Sequence, residues 1–392
     1  MSNLKKYASR AGALALTAAL FLGIAGCGGG GASKPSEAPK PSAPPAQAET
    51  QKPAEAQKPA ETGAPLSVSG TINVASKPSP SATYTVAAAV AKMINTYGSG
   101  LESYVVTYPS ESVFPDEYYN ENIQMGIANL NTGMQSAYGT GAWEGCGAGH
   151  TRLLSVGIEG HFSVIIATPE SGIKTPYDLK GKKVMGLIRG SVLTREVWDA
   201  IEYGYDLSED EFQLMEYSNV TEMTTALKEK RVDAIMYPFF GNASWVEELV
   251  GMGDGVFVQH DAAVVDKILE KYTGYNMLTI PAGTFRNQEE EVIDFGSFWT
   301  LDVSSDVSDD AVYAATKALY DNFEEWCTYA DSITSFALPG AIDPSKLGYP
   351  VHPGAVRYYE EQGIWTEEHQ KIQEENLARW EALPDYTPTT AK

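Results

Sequence analysis

From Thr71 to Tyr272, short apolar runs rich in β-branched residues alternate with stretches whose apolar side chains recur every three or four positions. The first strand-like run is T-I-N-V-A at 71–75. Val86, Val90, Met93, Ile94 and Tyr97 follow it at the spacing of one helical face. Further strands are expected at 104–107, 123–128 and 163–168, the last stopped by Pro169. A second block repeats the pattern. Its strands are expected at 184–188, 212–217, 233–237 and 256–258. Its helices are expected over 192–203, over 220–227, from near Asn242, and over 261–272. Such alternation predicts parallel sheets covered by helices on both faces.

After Asn276 the pattern changes. Strands are expected at 277–280 and 294–301, then one long helix at 309–329 with Ser308 as its N-cap, then a charged, aromatic helical segment from Pro353. The chain passes between the two blocks twice, at 163–168 and at 275–280, so two lobes are expected with a ligand cleft between them. Residues 68–165 and 278–392 are assigned to the first lobe and residues 166–277 to the second.

The N-terminus is a separate matter. Lys5, Lys6 and Arg10 precede an uncharged stretch at 11–26, the head and apolar core of a secretion signal. The stretch is shorter than the ~20 residues a membrane span needs. Ile24-Ala25-Gly26-Cys27 resembles a bacterial lipobox, which implies cleavage before Cys27 and lipid on that residue. Residues 28–67 are rich in Pro, Ala, Lys and Glu, contain no aromatic residue, and nearly repeat the hexapeptide Q-K-P-A-E-A. Such a segment buries too little apolar surface to order itself and reads as an extended tether.

The formal net charge is −23, and all of it falls on residues 68–392, because the signal is basic and the tether balances. An acidic body excludes phosphate-backbone binding, so no nucleic-acid partner is expected. Cys146 and Cys327, the two cysteines beyond Cys27, are read mainly as small buried side chains, with pairing as the alternative.

Enzyme motifs are missing. The sequence has no G-x-S-x-G, H-E-x-x-H, Walker A or C-x-x-C motif, and its five histidines lack metal-ligand spacing. Residues 139–149 are glycine-rich and read as a flexible loop rather than a phosphate cradle. Asp302, Asp306, Asp309 and Asp310 lack the spacing of a calcium loop and read partly as a helix start. No cofactor and no metal are expected.

Polar turns at strand ends remain: residues 76–84, 108–112, 128–131, 189–194 and 237–241. Two of them open helices, whose free N–H groups and dipole favour an anion.

Five segments resemble the TAXI subfamily of solute receptors for TRAP (tripartite ATP-independent periplasmic) transporters. They are S-G-I-K-T-P-Y-D-L-K-G-K-K at 171–183, L-K-E-K-R-V-D-A-I at 227–235, L-T-I-P-A-G-T-F at 278–285, V-Y-A-A-T-K-A-L at 312–319, and P-V-H-P-G-A-V-R-Y-Y-E at 350–360. The resemblance implies an α/β periplasmic-binding-protein type II fold, with two lobes joined by two crossover strands around the cleft. It also implies delivery of a small carboxylate to TRAP membrane permease subunits. The family's Gly-rich turn after the first strand is replaced here by residues 76–84, with two prolines.

The reading is therefore a lipid-anchored receptor on the periplasmic or cell-surface face, a monomer and not an enzyme. It binds a small organic solute, a carboxylate or amino acid. Service to an ABC importer or a sensor kinase is the alternative, and an extracytoplasmic enzyme on the same scaffold a further one. Ser79, Ser81, Tyr84, Ser112, Asn129 and Asn131 would line one wall. Gly190, Ser191, Thr194 and Tyr237 would line the other, with Arg189 or Arg195 clamping a carboxylate.

Overall fold

The computed structural model describes residues 68–79, 81–189, 191–239 and 243–389. The signal, Cys27, the tether and Gly190 lie outside them. The elements, in chain order, are β1 (Gly70–Ser76), α1 (Ala82–Tyr97), β2 (Leu101–Thr107), α2 (Phe114–Tyr119), β3 (Met125–Asn129), α3 (Leu130–Tyr138) and β4 (Thr151–Phe162). Then come β5 (Ile165–Ala167), β6 (Lys183–Ile188), α4 (Val192–Tyr205), β7 (Gln213–Tyr217), α5 (Val220–Lys228), β8 (Ala234–Met236), α6 (Ser244–Met252), β9 (Val256–Phe257) and α7 (Ala262–Lys271). The chain closes with β10 (Asn276–Ile280), β11 (Val292–Ser304), α8 (Asp309–Tyr320), α9 (Phe323–Cys327), α10 (Pro353–Glu361) and α11 (Glu367–Glu381).

Two sheets result. The first is six-stranded, with β1 parallel to both β2 and β3, and β11 antiparallel to β3, β4 and β10. The second is five-stranded, in the order β7-β6-β8-β5-β9, with β5 antiparallel to its neighbours. In each sheet a strand arriving from the other lobe is laid antiparallel among the rest. That is the order of a type II periplasmic-binding-protein fold, and the two α/β lobes follow from it.

Side-chain alternation explains how the second lobe is filled. Ile165 and Ala167 point to one face of the sheet, where Trp198, Ile201, Val265 and Ile268 of α4 and α7 cover them. Val164 and Ile166 point to the other, under Met223, Leu227, Val246 and Leu249 of α5 and α6. Each Val, Ile, Leu or Met among them, fully buried, stabilises the lobe by roughly 1.5–3 kcal/mol before entropy is counted. In the first lobe, Val86, Val90, Met93 and Ile94 of α1 meet Val312, Ala315 and Leu319 of α8 in one large core.

The crossings differ from the expected pair of single segments. The outward one is short: Ser163 and Val164 link β4 to β5. The return is a hairpin. Ile280, Phe285 and Val292 of the β10–β11 unit pack in one core of the second lobe and Phe295 in the other, while Phe298, Leu301 and Val303 of the same β11 belong to the first. Buried Asp294 of β11 accepts the Ser163 N–H at 2.6 Å and ties the two crossings together.

Three local expectations change. The helix at 309–329 is broken after Tyr320, where Asn322 donates its side-chain amide to the Ala318 carbonyl in place of a continuing turn. Ser308 is its N-cap, accepting the Ala311 N–H. The glycine-rich segment at 139–149 is packed. Trp143 and Cys146 are buried with Tyr386, and Gly147 lies so close to the Pro384 and Asp385 carbonyls that a Cβ would sit at 2.4 Å. The Ala148 N–H donates to Pro384 and the Gly149 N–H to Ala137, so these amides hold the chain rather than a phosphate. The acidic group is dispersed. Asp302 is buried and accepts the Tyr349 hydroxyl, Asp306 meets His150, and Asp310 meets Arg357.

Cys146 and Cys327 are both free thiols, the first buried and the second half-buried. Among the described residues, no group of three or more His, Cys, Asp or Glu is placed to hold a metal ion, and no helix is long and apolar enough to cross a membrane.

Candidate functional site

A cavity of about 320 Å³ opens between the lobes at the strand ends. The first lobe contributes Lys77, Ser81 and Thr83 from the β1–α1 turn, Glu111 from the turn after β2, Asn129 from the end of β3, His161 near the end of β4, and Trp299 of β11. The second contributes Ile188, Ser191 and Leu193 from the β6–α4 turn, and Tyr237, Pro238 and Phe239 from the segment after β8.

Two helix N-termini therefore reach the same space from opposite sides. Ser81 caps α1 by accepting the Tyr84 N–H at 3.1 Å, and Ser191 caps α4 by accepting the Thr194 N–H at 3.4 Å. Neither first turn contains an acidic residue. The positive ends of both helix dipoles are thus uncompensated and favour an anion.

Formal charge is balanced in the lining. Lys77 Nζ lies 2.9 Å from Glu111, whose carboxylate is almost wholly buried. Asn129 donates its side-chain amide to the other Glu111 oxygen at 3.2 Å. Burial, helped by the nearby Lys77 charge, pushes His161 down to about 3, so its imidazole is neutral at physiological pH. The rest of the wall is apolar and aromatic. The lining thus combines hydrogen-bonding groups and one ammonium with apolar and aromatic surface.

Four of the expected site residues meet in the cavity: Ser81, Asn129, Ser191 and Tyr237. The others are placed elsewhere. Ser79 is exposed beside the cavity turn. Tyr84 supplies only its backbone N–H to the α1 cap, and Ser112 only its N–H to Ser110. Asn131 is buried against Glu196 and Tyr275. Thr194 is buried, its hydroxyl accepting the Ile188 N–H.

Neither Arg189 nor Arg195 is in the described cavity lining. Arg189 is largely exposed and pairs with Glu216 at 3.2 Å, and Arg195 is held by Asp199 and Glu202 along its own helix. An exposed pair of this kind is worth about 0–1 kcal/mol. Arg189→Ala is therefore expected to leave the dissociation constant of a cleft ligand within about twofold in titration calorimetry. A tenfold loss would return the guanidinium to the site.

Residues 78–363 of the chain match the NMT1-like family. The chain belongs to the NMT1-like family. Among solved structures, this NMT1-like chain is similar to the periplasmic aliphatic sulphonate binding protein SsuA from Escherichia coli, at 14% identity over 77% of this chain and 91% of that one, with a TM-score of 0.39. It is also similar to XAC2383 from Xanthomonas citri bound to ATP, at 8% identity over 78% and 99%, with a TM-score of 0.46.

Sequence reasoning passed over Lys77, Glu111, His161, Phe239 and Trp299. Lys77 and Glu111 lie inside the polar turns 76–84 and 108–112, where nothing in the sequence tells which side chain faces inward. His161 shows no metal spacing, and Trp299 lies in the strand expected at 294–301, where nothing local marks its side chain as facing a cleft.

Proposed function

We propose that this NMT1-like chain is an extracytoplasmic solute-binding protein whose two lobes close on a small organic acid. The observation that carries the reading is the convergence of two acid-free helix N-termini and Lys77 on one interlobe cavity with an otherwise largely apolar lining. Paired lobes joined by two crossings support closure by hinge motion. Glu111 and Asn129 add an acceptor group that suits the ammonium of an amino acid. The cleft thus fits a carboxylate with an apolar body, amino acids included.

The lipobox resemblance at Cys27 supports anchoring to the outer face of a membrane by N-terminal lipid. The five TAXI-like segments support delivery to TRAP permease subunits. Service to an ABC importer is the other destination, and the transporter genes beside this one distinguish the two.

The test is a thermal-shift screen of the purified chain against carboxylates, amino acids, sulfonates and small aromatics. A ligand present at 100 times its dissociation constant is expected to stabilise the protein by about 2.7 kcal/mol. A carboxylate or amino-acid hit supports the reading. Hits confined to uncharged aromatics would overturn the anion site.

A further inference from the structure

The lobes also touch through a polar cluster behind the cavity. Asn131 and Gln135 lie one turn apart on α3 of the first lobe, and Glu196 lies on α4 of the second. One Glu196 oxygen accepts the Asn131 amide at 2.9 Å and the Tyr275 hydroxyl at 3.0 Å. The other accepts the Gln135 amide. Asn131 is fully buried, and its amide also reaches the Tyr275 hydroxyl at 3.2 Å.

Tyr275 stands at the start of the return crossing, so the cluster spans both lobes and the hinge. Gly274 before it has φ +83°, and a Cβ there would lie 2.4 Å from the Asn131 Cα. The crossing is pressed against α3 at this point.

Among the described residues no cation pairs with the carboxylate. Arg195, its neighbour in sequence, is turned to Asp199 and Glu202. Burial pushes the Glu196 pKa up, and the three neutral donors pull it back. A carboxylate so placed depends on those donors, because an unpaired buried charge is costly. Any rotation that separates α3 from α4 takes away both amides of the first lobe at once.

We propose that Glu196 is an interlobe latch whose hydrogen bonds to the first lobe favour the closed over the open arrangement of the lobes. Its consequence for solute release rests on the receptor reading, but the latch itself does not. Opening exchanges the Asn131 and Gln135 hydrogen bonds to Glu196 for water, so the latch sets the balance between closed and open forms. Glu196 is thus a positioning residue: it is not part of the described cavity lining and acts by bringing the two helix N-termini together.

The test reads the interlobe distance without solute. Spin labels are placed in the full chain, in detergent, through Tyr104→Cys on β2 and Met252→Cys at the end of α6. Both sites are exposed. Cys27→Ser and Cys327→Ser leave Cys146, which is buried, as the one native thiol. The chain with Glu196 intact is expected to give one short distance. Glu196→Ala and, separately, Gln135→Ala are expected to raise the share of a longer distance at least about tenfold. Gln135→Ala leaves the carboxylate and its hinge donor in place, so it keeps the test open if Glu196→Ala fails to fold. Unchanged distances in a folded variant would overturn the latch. A solute screen with no hits would overturn the receptor reading and leave these distances to be judged alone.

Discussion

Lys77→Gln is expected to weaken binding of a carboxylate solute by roughly 10–150-fold in titration calorimetry, the range that about 1.5–3 kcal/mol of lost charged hydrogen bonding implies. Lys77 is the one cation in the described lining, and it sits beside the α1 N-terminus where an anion is favoured. The same change leaves the Glu111 carboxylate, only 7% exposed, without its ion pair. A fall in thermal stability should therefore accompany the loss of affinity. The double variant Lys77→Gln, Glu111→Gln separates the two effects. Neutralising Glu111 removes the buried charge, so stability should recover while affinity for a simple carboxylate stays low. Glu111→Gln alone reads the other end of the solute. It should weaken an amino acid, whose ammonium loses its acceptor, and should not weaken a plain carboxylate. Unchanged affinity in Lys77→Gln would remove the lysine from the site.

The second large effect is on stability. Asp302 is buried beside the Tyr349 hydroxyl, and burial pushes its pKa up to about 7, from an ordinary 3.8. The folded protein therefore keeps this proton between about pH 4 and pH 7, while the unfolded chain has released it. Stability from this group falls as pH rises through that window and is flat above it. An asparagine side chain at this position cannot titrate, and it can still accept the Tyr349 hydrogen bond. The Tyr118 hydroxyl, which lines the same small cavity, is open to its amide.

Asp302→Asn should accordingly gain on the wild type by up to about 4 kcal/mol between pH 4 and pH 7, since each pKa unit is worth about 1.4 kcal/mol. Burial also pushes Asp294 up to about 7, and it pushes His161 down to about 3 and His260 and His352 to about 4. The histidines work in the opposite sense. Their contribution is full above pH 6.5 and is lost as pH falls, because the unfolded chain takes up protons that the folded one refuses. In the wild type the aspartates offset part of that loss. In Asp302→Asn one offset is gone, so the acid limb should steepen by about one proton. Parallel melting-temperature curves for the two proteins across pH 4–8 would show that Asp302 is ionised throughout.

The architecture was legible because it repeats a local rule. A strand buried on both faces and a helix with one apolar stripe each leave their period in the sequence, and the alternation around Val184, Met223 and Ile235 needs no long-range knowledge. β4 left no such trace. Gly157, Glu159, Gly160 and His161 interrupt its apolar run, and its twelve residues are held extended by pairing with β11, more than a hundred positions away. The return hairpin was read short for the same reason, since the burial of Phe285 and Val292 depends on a lobe the chain has already left. The cleft was half legible. The turns at 76–84, 108–112 and 189–194 were visible as places, because small polar residues at strand ends mark them. Which side chain of each turn faces inward was not visible. In the turn after β2, Glu111 points in and Ser112 does not, a difference of one residue set by the 3-10 turn at Glu111–Val113.

The two crossings make the second lobe an insertion within the first. Residue 70 begins a strand of the first lobe, and near the other end Tyr386 and Thr389 both donate hydrogen bonds to Asp116 of α2 in that same lobe. A label or mount placed at residue 70 or at Tyr386 is therefore carried by the first lobe. In the closure proposed above, a chain held there moves only its second lobe. The signal would come from labels on α4 to α7, and a pair of labels at residues 70 and 386 would record nothing.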